Sequence, residues 1–235
     1  MIMAFLKVSG LTKRYGEGGA NVQVLRGIDL ALEQGEICTL LGPSGSGKST
    51  FLNIIGGLEK ADSGSISVGG MNLTNLDDHD IGEYRRKTLG FVFQFYNLVE
   101  DLTIRENIEV CQYLSPDPLS VGDLLRSLGI WEQRNSFPNE VSGGQQQRCA
   151  IGRALAKKPQ LLLCDEPTGA LDYETSKDIL ALIEEVSRAY GCTTIIVTHN
   201  NAIGEMADRK LRLRDGRLVE DIVNDHPIPA RDLEW

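Results

Sequence analysis

The chain has 235 residues, with 33 acidic and 24 basic side chains and a formal net charge of −9. That balance argues against nucleic acid as a partner, because phosphate binding draws its affinity from a basic excess. Hydrophobic residues at 41% and charged residues at 24% exclude a disordered chain, and no run of about 18 apolar residues is present to span a bilayer.

The opening Met1-Ile2-Met3-Ala4-Phe5-Leu6-Lys7 lacks the basic start and long apolar core of a secretory signal, so a cytoplasmic location is expected. Residues 5–8 and 22–32 read as strands, separated by the turn Gly16-Glu17-Gly18-Gly19. Residues 36–41 form an apolar run ending at Gly42, which suits a strand buried on both faces of a parallel sheet. Residues 66–68, followed by Gly69-Gly70, read as a third strand of the first, smaller sheet. Residues 102–136 carry Pro116, Asp117, Pro118 and Asp123 between short amphipathic stretches, the pattern of a mostly helical insert. Two further buried strands are expected at residues 161–164 and 194–197. Between them Ile179, Leu182, Ile183 and Val186 mark one apolar helical face. Residues 221–235, with Pro227 and Pro229, read as an extended strap or a partly mobile end.

Cys38, Cys111, Cys149, Cys164 and Cys192 form no C-x-x-C pair, and four of them lie in apolar stretches. They read as small buried hydrophobes rather than ligands. His79, His199 and His226 are scattered, so no zinc site is expected.

Three buried strands end in polar residues, and strand ends along one edge of an open α/β sheet carry the ligand site. The first leads into Gly42-Pro43-Ser44-Gly45-Ser46-Gly47-Lys48-Ser49-Thr50, which fits G-x-x-x-x-G-K-[ST]. Glycines at this spacing let backbone N–H groups close around phosphate oxygens, and the following helix adds its positive end. Lys48 is expected to reach the β- and γ-phosphates, Ser49 to supply a hydroxyl to Mg²⁺, and Thr50 a further phosphate contact. The second strand ends in Asp165-Glu166: Asp165 near the metal, Glu166 as general base for the attacking water. Far downstream, Val141-Ser142-Gly143-Gly144-Gln145-Gln146-Gln147-Arg148 forms another anion-binding corner at an expected helix start.

With two such corners for one nucleotide, the chain resembles the ATP-binding subunit of an ABC transporter. The resemblance covers essentially the whole chain, with motifs in the family's order. It implies that Tyr15 stacks on adenine and that Gln94 senses Mg²⁺ and the attacking water. Ser142, Gly143, Gly144 and Gln145 match the signature that contacts the γ-phosphate across a dimer, Asp172 belongs to the D-loop, and His199 is the switch histidine. Val141 stands where Leu is more usual. Gly152 replaces a commoner Ala, at a cost of about 1 kcal/mol of helix propensity. Glu166 is intact, so hydrolysis is expected.

The expected fold is α/β: a P-loop NTPase core with a mostly parallel sheet (residues 36–59, 76–95 and 155–220), an N-terminal antiparallel β-subdomain (1–35 and 60–75), an inserted α-helical subdomain with the signature (96–154), and the tail (221–235). The family pairs two such subunits head to tail on ATP and Mg²⁺. A lone monomer is therefore expected to hydrolyse ATP slowly, with half its phosphate cage missing. Such a dimer drives a membrane permease on a separate chain, from the inner face of the cell membrane. The segments Phe93-Gln94-Phe95-Tyr96-Asn97-Leu98 with Leu102-Thr103, Thr168-Gly169-Ala170-Leu171-Asp172, Thr198-His199-Asn200 and Met206-Ala207-Asp208-Arg209 are similar to the macrolide-exporter and lipoprotein-release subgroup. A permease helix is expected to dock beside Gln94 against Phe95 and Tyr96, for each of which core packing is the alternative. A cell-division-type partner is the nearest alternative to export. A soluble DNA or ribosome ATPase is disfavoured by the short Gly42-to-Ser142 spacing, the single cassette and the acidic balance.

Overall fold

The computed structural model describes residues 4–16 and 21–235, so Met1 to Met3 and the expected turn at Glu17, Gly18 and Gly19 lie outside the described residues. Two sheets organise the chain. Strands β1 (Leu6–Tyr15), β2 (Val22–Leu32), β4 (Ser63–Val68) and β5 (Met71–Asn72) make an antiparallel sheet in the order β2-β1-β4-β5.

The second sheet has the order β10-β9-β3-β8-β7-β6. Its strands β3 (Ile37–Leu41), β6 (Leu89–Val92), β7 (Leu161–Asp165), β8 (Thr193–Thr198) and β9 (Arg209–Arg214) run parallel, and β10 (Arg217–Val223) returns antiparallel along the edge. The P-loop NTPase architecture expected from sequence is the one observed, with three strands more in the large sheet than its apolar runs announce. β6 is only four residues long. β9 alternates Leu211 and Leu213, both buried, with basic residues that pair outward, Arg209 to Asp221 at 2.6 Å and Arg212 to Glu220 at 2.9 Å.

Alternation along the buried strands divides the interior into two clusters. Cys38, Leu40, Leu161, Leu163, Ile195 and Val197 face α1 (Lys48–Ile55) and the antiparallel sheet. Leu162, Cys164 and Ile196 face the helical side. There lie α3 (Ile104–Gln112), α4 (Val121–Ser127), α5 (Gly143–Leu155) and α6 (Tyr173–Tyr190). Helix α2 (Asp78–Lys87) lies before β6 and buries Tyr84. The expected face of α6 is buried through Ile179, Leu182, Ile183 and Val186. Cys38, Cys149, Cys164 and Cys192 are buried and Cys111 half-buried, all as free thiols. Burial pushes Cys149 and Cys192 up to about 12, which leaves them unreactive.

Gly152 has a packing reason. A Cβ there would stand 2.6 Å from Leu128 Cδ1 and 2.9 Å from Ile108 Cδ1, so the glycine lets neighbouring helices close on α5. The tail is a strap. Ile228 N–H donates to the Glu205 carbonyl and Ala230 N–H to Glu184 Oε2, while Leu233 is buried and Trp235 meets Tyr173 edge-on at 4.8 Å.

The segment between β6 and α3 is fastened by Asn107, which is fully buried. Its Nδ2 donates to the carbonyls of Val99, Leu102 and Thr103, and its Oδ1 accepts the Val99 N–H at 2.8 Å. Asn107→Ala strands these groups without partners, and its cost is expected to be about 3 kcal/mol. Denaturant titration of the two proteins checks this; a midpoint unchanged within error contradicts it.

Candidate functional site

Parallel strands β3, β6, β7 and β8 all deliver their C-terminal ends to one edge of the sheet, with Leu41 opposite Thr198 and Val92 opposite Cys164. The first strand runs into the Gly42–Thr50 loop, β6 into Gln94, β7 into Asp165 and Glu166, and β8 into His199. The edge carries a cleft of about 500 Å³ lined by Val24, Ser44, Gly45, Gly47, Lys48, Ser49, Thr50, Gln94, Glu166 and His199. Nine of these are among Ser44 to Thr50 and the strand-end residues the sequence singles out; the tenth is Gly47's neighbour on β2, Val24, which the motif reading omits. Alternation in Val22-Gln23-Val24 was its only signal.

The loop turns through left-handed backbone at Gly45 (φ +78°) and Gly47 (φ +107°), which non-glycine residues rarely adopt. No atom lies within 4 Å of a Cβ built on Gly45. Gly47 is the N-cap of α1, and no side chain caps that helix end. At Gly42 a Cβ would fall 2.3 Å from the Leu213 carbonyl oxygen, so the strand exit depends on its absence. Lys48 is buried, and its Nζ donates to the carbonyls of Gly42 at 2.8 Å and Pro43 at 3.1 Å. No ion pair of Lys48 occurs among the described residues. Ser46 Oγ is also buried and has no hydrogen-bond partner there.

Ser49 Oγ donates to Asp165 Oδ1 at 3.2 Å. Burial raises the Asp165 carboxyl above its ordinary value; the Ser49 hydroxyl opposes this, and Glu166 adds to it. Glu166 itself sits at φ +47°, a conformation unusual for a non-glycine residue, with its N–H still donating to the Val197 carbonyl. Its carboxylate contacts His199 Nδ1 at 3.0 and 3.1 Å. Gln94 reaches the same corner: a Cβ on Gly169 would stand 3.0 Å from Gln94 Nε2.

Tyr15 lies at the edge of this group, at the end of β1. Its hydroxyl donates to Glu59 at 2.6 Å and is 3.5 Å from Thr50 Oγ1. Burial and Glu59 together raise the phenol above its ordinary value. Lys13 holds Glu59 from the other side at 3.0 Å. Glu59 is far from Tyr15 in the chain, and nothing local in the sequence marks it as the residue that orients the ring.

Ser142 to Gln145 and Asp172 are not part of the cleft. Ser142 caps α5 in a capping box, its Oγ accepting from Gln145 N–H while Gln145 Oε1 accepts from Ser142 N–H. Asp172 caps α6 by accepting from Thr175 N–H and Oγ1, and those bonds hold its carboxyl below the ordinary range. Both N-caps are exposed, and the two helix starts are neighbours, because a Cβ on Gly144 would stand 2.6 Å from Thr175 Cγ2. Phe95 is 73% exposed, so core packing does not explain it, whereas Tyr96 is half-buried with its hydroxyl against Gly143.

These features fit a nucleoside triphosphate. A buried ammonium with only carbonyl partners and an uncapped helix start leave positive charge facing the cleft. Among the described residues no group of three or more His, Cys, Asp or Glu is placed to hold a metal. Mg²⁺ needs no such cage, since it keeps waters and is held by one or two protein oxygens together with phosphates. The Ser49–Asp165 pair offers oxygens of that kind.

The family model described as ABC transporter matches residues 25–169. The putative ABC transporter ATP-binding protein MG065 of Mycoplasma genitalium is 42% identical over 233 residues, 98% of this chain and 50% of that protein. The chain thus spans about half the length of that relative. The lipoprotein-releasing system ATP-binding protein LolD of Geobacter metallireducens is 42% identical over 93% of this chain and 99% of its own length. Among solved structures, the ATP-binding cassette MJ0796, dimeric in a post-hydrolysis state bound to ADP and Pi, superposes with a TM-score of 0.85. It is 36% identical, covering 93% of this chain and 98% of that one.

A half-buried carboxylate stands at a cost to the fold. Because burial raises Asp165, its charged form is disfavoured in the folded state, and the penalty disappears as falling pH protonates it. Asp165→Asn is therefore expected to melt no lower than the parent at pH 7, with any advantage vanishing on acidification. Thermal denaturation across a pH series checks the sign, and an advantage that grows toward acid contradicts it.

Proposed function

The chain belongs to the ABC transporter family, and on that premise we propose that it binds and hydrolyses ATP and that the energy is used by a membrane permease. The observation carrying this reading is the single cleft in which the Gly42–Thr50 loop, Gln94, Glu166 and His199 converge.

In this reading the N–H groups of residues 45–50 and the Lys48 ammonium hold the β- and γ-phosphates, while Tyr15 stacks against the base. Ser49, Asp165 and Gln94 hold Mg²⁺, which when bound neutralises phosphate charge. Glu166 accepts a proton from the water that attacks the γ-phosphorus. His199, already in contact with that carboxylate, steadies it and the departing phosphate. The left-handed backbone at Glu166 aims its side chain into the cleft, and Gly169 N–H fixes the turn by donating to the Glu166 carbonyl at 3.0 Å.

The remaining phosphate ligands come from a second copy. Exposed helix starts at Ser142 and Asp172 lie outside the chain's own cleft, so a head-to-tail dimer is the arrangement that uses them. The dimeric ATP-binding cassette MJ0796 supports that arrangement. Closure on two triphosphates and release after hydrolysis are then the stroke delivered to the permease, since a ligand moves an equilibrium only through its differential affinity for the two states. The likeness to the lipoprotein-releasing ATP-binding protein supports a force-transmitting, exporter-like partner, docked on the surface that carries exposed Phe95. The location is then the inner face of the cell membrane.

Glu166→Gln removes the base while leaving the phosphate cage, and is expected to dimerise on Mg-ATP and to slow turnover about a thousandfold. Light scattering with and without Mg-ATP reads the first effect and phosphate release the second. Persistence of a monomer at saturating nucleotide sinks the dimer reading. Lys48→Ala tests the site itself: it should lose binding of a fluorescent ATP analogue, and retained affinity would falsify the assignment of the cleft.

A further inference from the structure

Arg153 lies on α5, remote from the signature at that helix's start, and the motif reading gives it no role. Its guanidinium nonetheless makes two directed bonds, Nη1 donating to the Asn97 carbonyl at 2.5 Å and Nη2 to the Tyr96 carbonyl at 2.9 Å. It pairs with no carboxylate among the described residues. The residues it grips are unusual: Tyr96 (φ +57°) and Asn97 (φ +51°) are consecutive, left-handed and not glycine. Such backbone persists only where its surroundings hold it. The same turn also packs closely on the start of α5, where the Tyr96 hydroxyl lies 2.8 Å from the position a Cβ on Gly143 would take.

We propose that Arg153 is a positioning residue for hydrolysis: by clamping the left-handed pair Tyr96–Asn97 it holds Gln94 in the cleft and links that glutamine to the helix that begins at Ser142. The proposal rests on the role of Gln94 given above. Gln94 sits between two anchors, the ladder of β6 that ends at Val92 and the Asn107 bonds that begin at Val99. Between them the Arg153 fork is the side-chain clamp on the backbone. Without it both carbonyls lose their donors and the pair is free to relax to extended backbone, which moves the residue two positions upstream. An arginine suits the task because its planar fork spans two acceptors at a fixed angle; a lysine reaches one at a time. Arg153 is only half-buried and belongs to neither apolar cluster, so its removal leaves the packing of the fold in place.

The test is a cycle of four full-length proteins, parent, Arg153→Gln, Gln94→Ala and the double variant, assayed for Mg-ATP hydrolysis with thermal melting alongside. Arg153→Gln is expected to lower kcat roughly tenfold or more, with KM within twofold and melting within a few degrees. The double variant should be no slower than Gln94→Ala alone. Arg153→Lys should fall between parent and Arg153→Gln, and it carries the same cycle if the glutamine variant does not fold. Losses that multiply in the double variant, or an Arg153→Gln protein as fast as the parent, overturn the positioning role while Gln94 keeps its own. A Gln94→Ala protein at the parental rate overturns both.

Discussion

A positive charge inside a protein needs an answer, and Lys48 has only half of one. Its ammonium is satisfied as a donor by two carbonyl oxygens, yet no described carboxylate pairs with it as a charge. Burying an unpaired cation is costly unless something negative is to be received. Much of the structure follows from keeping that position open. The glycines around Lys48 remove side chains from the space above it, α1 leaves its first N–H groups uncapped, and the Asp165 carboxylate is engaged by the Ser49 hydroxyl instead.

The parallel sheet is the device that brings the other groups there. Four strand ends reach one edge because crossovers return each chain segment in the same direction, and the order β3-β8-β7-β6 sets Glu166 and His199 side by side. Only backbone conformation distinguishes Glu166 from an ordinary strand-end carboxylate. At φ +47° it leaves the strand direction while its N–H still closes the ladder to Val197. In the same economy, Ser142 and Asp172 each finish a helix with their own side chains. Their hydroxyl and carboxylate are therefore already engaged within the chain, and it is the backbone around them that faces outward.

Much of this is legible in sequence, for identifiable reasons. Strands β3, β7 and β8 are buried on both faces, so each is written as a largely apolar run, and the Gly42–Thr50 and Ser142–Arg148 segments are written as fixed residue orders. β6 escapes because four residues with Gly90 among them carry too little pattern; that glycine is there because a Cβ would stand 3.0 Å from the Ala154 carbonyl oxygen. β9 escapes because its charged positions look like a surface until Asp221 and Glu220 are seen opposite. The last residues carry the pattern of an extended strap or a partly mobile end, and the strap is what Leu233 and Trp235 make of them. Long-range partners such as Glu59 for Tyr15, or Arg153 for Tyr96 and Asn97, have no local signature. They depend on which elements the fold places together.

The division of the interior into two apolar clusters has a consequence for how the protein tolerates change. Leu161 and Leu163 belong to one cluster and Leu162 and Cys164 to the other, though they are neighbours on the same strand. Side chains on opposite faces of a sheet do not touch, and substitutions without shared partners add in free energy when separated by more than about 10 Å. Variation under the antiparallel sheet and variation among the helices can therefore accumulate independently. A change in the packing between the helices thus leaves the packing beneath α1 and the antiparallel sheet as it was.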